Sequence, residues 1–144
     1  MRVRFDLDVA GLTTTGRTPA QAYDGVHVFL RYQSDQWLYA VSVLRRDGQV
    51  AIKKKVPGGP ANGGEYATLA VARYSLPLQT WNAVEVTAVD APGGVQLALR
   101  VNGRLLLQAT DSGTLGAPIG AAGRVGIRGD NASFRFRGFS ATSP

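Results

Sequence analysis

Residues 95–109 read VQLALRVNGRLLLQA, and this stretch decides the fold class. Large apolar side chains occupy every second position from Val95 to Val101, and such residues lie on the same face of a strand. Asn102-Gly103 then supplies the two residues with positive φ that a tight hairpin turn requires. Residues 104–109 return the chain, so the segment predicts a β-hairpin with one buried face.

The same period of two recurs along the rest of the chain, and Gly or Pro occupies most of the gaps. Such a pattern is typical of an antiparallel sandwich or barrel. The predicted strands are Arg2–Val9, Gly25–Tyr32, Trp37–Leu44, Val50–Val56, Tyr66–Arg73, Trp81–Val89, Val95–Val101, Arg104–Ala109, Arg124–Arg128 and Ser133–Phe139. Roughly ten strands exceed the seven of a minimal immunoglobulin-type sandwich, so we expect a larger two-sheet jelly roll.

The length of 144 residues suits one domain, and we predict a single sandwich over 1–144. No cysteine is present, and no apolar run approaches the ~18 residues of a membrane span. The N-terminus has the alternation of a strand and lacks the pattern of a signal peptide. A cytoplasmic protein and an extracellular module of a longer secreted chain both remain open, as does the oligomeric state.

The segment 57–64, PGGPANGG, has the lowest strand propensity of the chain. Its glycines and prolines weaken a β-ladder, so we expect an exposed, mobile loop. Phe29 is then either covered by this loop or exposed as an apolar platform.

The chain carries a formal net charge of +6, with 16 Lys and Arg against 10 Asp and Glu. Such a charge favours anionic partners. The basic residues are dispersed over many strands, however, and only residues 53–55 form a run. Nucleic acid is therefore not an expected partner. An acidic polysaccharide fits the net charge as well as nucleic acid does, and a basic surface that only keeps the protein soluble fits best of all.

Several segments appear in an order that is similar to a known superfamily. They are VFLRY at 28–32, WLYAV at 37–41, TWNAVEV at 80–86, VNGR at 101–104, and GRVGIR at 123–128 leading into ASFRFRGF at 132–139. From Gly25 onward the chain resembles the concanavalin A-like lectin and glucanase superfamily, especially its laminin-G-like and 3-keto-disaccharide-hydrolase-like domains. The resemblance implies two curved sheets whose concave outer surface receives a saccharide.

Strand parity, taken with the implied concave surface, nominates a set of outward side chains for a sugar site. They are His27, Phe29, Arg31, Ser42, Lys53 and Arg128, with Trp37 at the rim. An aromatic face for sugar C–H groups and charged donors for hydroxyls or carboxylates form the chemistry of a glycan site. Arg31 and Lys53 also suit an ordinary solvated face.

Catalytic constellations are poorly supported by the sequence. A single histidine limits a Ser-His-Asp triad to His27, and no Gly-x-Ser-x-Gly elbow occurs. Glu65 and Glu85 are isolated rather than paired as glycoside hydrolysis requires. A polysaccharide lyase using His27, Arg31 and Tyr39 is an alternative that the residue types permit.

Loop residues Asp111, Asp130 and Asn131 offer oxygen donors of the kind that calcium prefers. Calcium is common in the superfamily, but Arg135 and Arg137 stand where many relatives place an Asp. We therefore predict no bound metal and no cofactor.

The sequence thus predicts a non-catalytic carbohydrate-binding module, with an acidic polysaccharide among the candidate ligands. A glycan-active enzyme, such as a polysaccharide lyase or a relative of keto-sugar hydrolases, is the first alternative. A protein-interaction or structural module is the second.

Overall fold

Ten antiparallel strands and no helix make up the described residues 1–143 of the computed structural model. The strands are β1 (Arg2–Leu12), β2 (Gly25–Ser34), β3 (Trp37–Arg45), β4 (Gln49–Ala61), β5 (Gly64–Arg73), β6 (Asn82–Ala91), β7 (Gly94–Val101), β8 (Arg104–Asp111), β9 (Arg124–Asp130) and β10 (Ala132–Thr142). The predicted all-β, two-sheet sandwich of the jelly-roll kind is confirmed.

Two five-stranded sheets form the sandwich. One, called here the front sheet, has the strand order β5-β4-β3-β2-β9, and the back sheet has the order β10-β1-β6-β7-β8. The hairpin predicted at residues 95–109 joins β7 to β8, and its turn residues Asn102 and Gly103 have φ values of 50° and 78°. The central strand of the front sheet is β3, which is paired on both sides.

The core lies between the inner faces of the two sheets. On β1 it takes every second residue from Val3 to Val9, as the alternation predicts. The central strand β3 contributes Tyr39, Val41 and Val43 from the front sheet. Burial of each large aliphatic side chain contributes about 1.5–3 kcal/mol, so this apolar layer is the main stabilising term of the sandwich.

The prediction of a mobile loop over residues 57–64 is wrong. Strand β4 continues to Ala61 and pairs with β5, and the turn between them uses Asn62 and Gly63 with φ values of 49° and 76°. The ladder from β3 to β4 ends at Lys55, so beyond that residue β4 has a partner on only one side. Proline is tolerated in a strand that has such a free edge, so Pro57 still pairs with Gly64, and the ladder has an irregularity between Pro57 and Ala61.

A charged cluster interrupts the apolar core at one end. The ammonium of Lys54 lies 3.0 Å from the carboxylate of Asp111, and neither side chain has exposed surface. Tyr39 donates its hydroxyl hydrogen to the same carboxylate at 2.6 Å. Because Lys54 faces inward, its neighbours Lys53 and Lys55 must lie on the outer face of the front sheet.

Candidate functional site

A groove of about 340 Å³ crosses the outer face of the front sheet. Its floor is lowest along β3, where the outward residues Ala40 and Ser42 are small. Larger side chains rise on both sides, with Phe29 on β2 and Lys53 on β4 flanking Ala40 in the ladder. The depression therefore follows from small residues on the central strand between large ones on its neighbours.

Segments from opposite edges of the front sheet wall the groove. The tip of the β4–β5 hairpin contributes Pro60, Ala61 and Asn62 on one side. Tyr23, which precedes β2, and Arg128 on β9 line the groove from the other side. The segment that the sequence suggested to be a mobile loop is thus the end of a β-hairpin and a wall of the site.

Five of the seven predicted site residues line this groove. They are His27, Phe29, Ser42, Lys53 and Arg128. Trp37 is 45% exposed at the start of β3, opposite Ser34, and does not line the groove. The parity of β2, β3, β4 and β9 therefore gathers most of the set on one surface, while Trp37 and Arg31 lie elsewhere.

The prediction that Arg31 points outward is wrong. Arg31 has a φ of 49°, and the pairing of β2 with both neighbours shifts register around it. Such a bulge reverses the inside–outside alternation. The guanidinium is 5% exposed and donates through Nη1 to Asp90 Oδ1 and to the carbonyl oxygen of Ile119, both at 2.7 Å.

His27 lies in the floor of the groove as a neutral imidazole. Its Nδ1 is 2.9 Å from Ser42 Oγ, while its buried Nε2 has no hydrogen-bond partner and lies 3.5 Å from Asp130 Oδ2. Burial lowers the pKa of His27 to about 4, although the charge of Asp130 opposes that shift. At neutral pH the ring therefore carries no charge.

The groove carries more positive than negative charge. Its lining includes four cationic side chains, Arg45, Lys53, Lys55 and Arg128, against the one carboxylate of Asp130. Asp130 is engaged by Arg128, which donates from Nε and Nη2 at 2.9 and 2.7 Å. Burial lowers the pKa of Lys53 and of Lys55.

Some lining residues were missed by the sequence reasoning. Lys55 shares a strand face with Lys53, so parity alone could have found it. Tyr66 pairs with Lys55 across β4 and β5, a register that no local pattern reveals. Asn62 was missed because its segment was interpreted as a loop.

The three residues of the lyase alternative do not share the groove. His27 lines it, whereas Arg31 reaches toward Asp90 and Tyr39 belongs to the core. Burial raises the pKa of the Tyr39 hydroxyl, which donates to Asp111 and accepts from the Ile119 amide. A proton transfer that requires all three groups at one substrate is incompatible with these positions.

Within residues 1–143, no group of three or more His, Cys, Asp or Glu side chains is arranged to hold a metal ion. The same residues contain no helix that is long and apolar enough to cross a membrane.

Comparison with solved structures identifies a similar fold in the carbohydrate-binding module CBM66 from Bacillus subtilis. The two share 13% sequence identity at a TM-score of 0.59, over 96% of this chain and 71% of that chain. At such low identity the likeness establishes the two-sheet fold alone. No family model matches the chain, and no curated protein matches it in sequence.

Proposed function

We propose that this domain is a non-catalytic carbohydrate-binding module that holds a segment of a poly- or oligosaccharide in the groove of the front sheet. The observation that carries the proposal is the convergence of Phe29, His27, Ser42 and Lys53 in one groove on a sheet. The fold similarity to a carbohydrate-binding module supports it. We also propose that the domain belongs to the concanavalin A-like superfamily, which includes lectin-like and laminin-G-like members.

The lining offers the two kinds of contact that a sugar needs. Phe29 stacks on Tyr32, with ring centroids 6.3 Å apart and an angle of 15° between the planes, so its orientation is fixed. Its partly exposed ring supplies an apolar surface for sugar C–H groups. The amide of Asn62 supplies hydrogen bonds to hydroxyls.

The size of the groove limits the length of glycan in contact with it. Small-molecule sites occupy about 300–1,000 Å³, and this groove of about 340 Å³ is near the lower bound. We therefore expect it to hold a short segment of a glycan chain, with the remainder extending beyond the walls.

The small number of carboxyl groups in the lining favours binding over hydrolysis. Glycosidases use two carboxyl groups on either side of the scissile bond. Among the described lining residues only Asp130 is acidic, so the groove lacks the second carboxyl group. We infer that the domain serves as one accessory module of a carbohydrate-active or surface protein.

A glycan array with two matched variants tests the proposal. Ala40→Phe fills the floor of the groove, while Ala98→Phe places the same ring at an outward position of β7 on the back sheet. We expect the natural chain and Ala98→Phe to retain the same glycans and Ala40→Phe to lose them. Retention of no glycan by the natural chain, or equal retention by both variants, would contradict the proposal.

A further inference from the structure

Two lysines on β4 lie side by side over one aromatic ring of the groove. The Nζ atoms of Lys53 and Lys55 are 5.9 and 5.2 Å from the centroid of the Tyr66 ring. Both side chains point outward because the intervening Lys54 points into the core. The sheet therefore presents two ammonium groups to the same part of the groove.

These ammonium groups lack the carboxylates that neutralise other cations of the lining. Arg128 lies 2.7 Å from Asp130, but among residues 1–143 no carboxylate lies within 4 Å of either lysine Nζ. Lys55 donates to the carbonyl oxygen of Asp35 at 2.6 Å, and Lys53 has no such hydrogen bond among the described residues. Several N–H donors of the pair thus remain free for a ligand.

Burial makes this arrangement costly without a partner. Lys55 is only 4% exposed, and withdrawal of an ammonium from water is unfavourable unless an opposite charge or hydrogen bonds compensate. The ring of Tyr66 and one carbonyl oxygen provide part of the compensation. A bound anion would provide the rest.

The position of Lys55 depends on a glycine in the neighbouring strand. A Cβ atom added at Gly64 would lie 2.4 Å from Lys55 Cε. The stem of Lys55 therefore packs against the bare backbone of β5, and any larger residue would displace it. This close packing restricts the positions that the Lys55 side chain can take.

We propose that Lys53 and Lys55 form an anion subsite of the groove, which takes the carboxylate or sulfate group of an acidic glycan. The assignment rests on the proposed function and specifies its substrate class. Each ammonium donates charge-assisted hydrogen bonds to oxygens of the anionic group. The sugar ring that carries it then lies toward Ala40 and Phe29.

A nucleic acid fits the same charges less well. Binding of a single strand uses a succession of aromatic platforms for the bases. Tyr66 has one ring face occupied by the two ammonium groups, and Phe29 has one face occupied by Tyr32. The walls at Pro60 and Arg128 also confine the groove, whereas a nucleic acid backbone needs a continuous basic track.

Isothermal titration calorimetry with pairs of sugars that differ only in charge tests the subsite. The probes are hexagalacturonate and its methyl ester, and a κ-carrageenan hexasaccharide and its desulfated form. The double variant Lys53→Met/Lys55→Met keeps most of both stems and removes both charges. The double variant Arg100→Met/Arg104→Met removes two charges from exposed positions of the back sheet as a control.

For at least one pair, we expect the natural chain to bind the charged sugar about tenfold or more tightly than the neutral one, a factor typical of charge-assisted hydrogen bonds. The lysine variant should bind both members of that pair equally, and the arginine control should match the natural chain. Equal binding of charged and neutral sugars by the natural chain, or no loss in the lysine variant, would overturn the subsite.

Two further outcomes separate this inference from the proposed function. In the first, the natural chain binds charged and neutral sugars equally, and Ala40→Phe loses the binding of neutral sugars. This result would leave the glycan site in place and overturn the anion subsite alone. Binding of an oligodeoxythymidylate as tightly as the acidic sugars, with the same sensitivity to the lysine variant, would overturn the assignment to an acidic glycan.

Discussion

Lys54 and Asp111 form an ion pair in the interior, with 3.0 Å between Nζ and Oδ2 and no exposed surface on either side chain. The Lys54 ammonium also donates to the carbonyl oxygens of Thr114, Gly116 and Ala117 at 2.7–2.8 Å. Asp111 Oδ1 accepts from the amides of Gly113 and Thr114. The pair thus anchors the connection between β8 and β9 to the front sheet.

We predict that Lys54→Met is strongly destabilising. Removal of one member of a buried ion pair leaves an uncompensated charge and typically costs about 3–5 kcal/mol. In this chain it also removes the partner of three loop carbonyls. Urea unfolding should report that loss in the free energy of unfolding.

The neighbouring lysine provides a control for Lys54. Lys53→Met, on the outer face, should change the free energy of unfolding by less than about 1 kcal/mol, as surface substitutions usually do. Equal stability losses in the two variants would contradict the structural role of the buried pair.

Arg31→Met should destabilise the chain without altering its ligand contacts. The substitution leaves the carbonyl oxygen of Ile119 without its donor, and an unsatisfied buried polar group costs about 1–3 kcal/mol. Thermal unfolding should show the loss, and titration at a temperature where the variant is folded should give the affinity of the natural chain. Weak binding by a folded variant would contradict this prediction and indicate that Arg31 contributes to the binding site.

His27 gives the stability a pH dependence of known sign. Its pKa is about 4 in the folded chain and about 6.5 when unfolded, so the unfolded state binds the extra proton first. Stability from this group is therefore complete above pH 6.5 and falls as the pH decreases toward 4. The linkage amounts to about 3 kcal/mol over that interval.

A His27→Gln variant isolates this effect from the titration of carboxylates. We expect the natural chain to lose more free energy of unfolding between pH 6.5 and 4 than the variant does, measured by urea unfolding at each pH. Equal losses of the free energy of unfolding in the two chains would show that burial of His27 does not control the stability at acid pH.

Gly64→Ala should weaken the binding of acidic sugars although it removes no charge. The new methyl group occupies the space of Lys55 Cε and displaces the ammonium from its position over Tyr66. We expect several-fold weaker binding of the charged sugar with little change in thermal stability, because a flexible side chain can move aside. Unaltered binding would mean that the position of Lys55 is unimportant.

Alternation of apolar and polar residues sufficed to predict the sandwich and most of the groove. Once a strand has one buried face, the opposite face is determined, and His27, Phe29 and Lys53 were found in this way. The method fails where the alternation breaks, as at the bulge that turns Arg31 inward. Nothing in the local sequence marks that bulge, because it arises from pairing with two neighbouring strands.

Contacts between distant segments could not be predicted from the sequence either. The buried ammonium of Lys54 is compensated by the carboxylate of Asp111 and by carbonyl oxygens of a loop about 60 residues away. The run of three lysines in the sequence therefore gave no sign of a buried charge. The prolines of residues 57–64 suggested a loop because their tolerance depends on a free strand edge, which only the sheet order reveals.

Amide chemical-shift mapping with a sugar that the glycan array retains tests the central claim, that the outer face of the front sheet is the glycan site. We predict perturbations concentrated at Phe29, Ala40, Lys53 and Tyr66, with the amides around Ala98 on the back sheet unchanged. Perturbations centred on the back sheet, or none at saturating sugar, would contradict it.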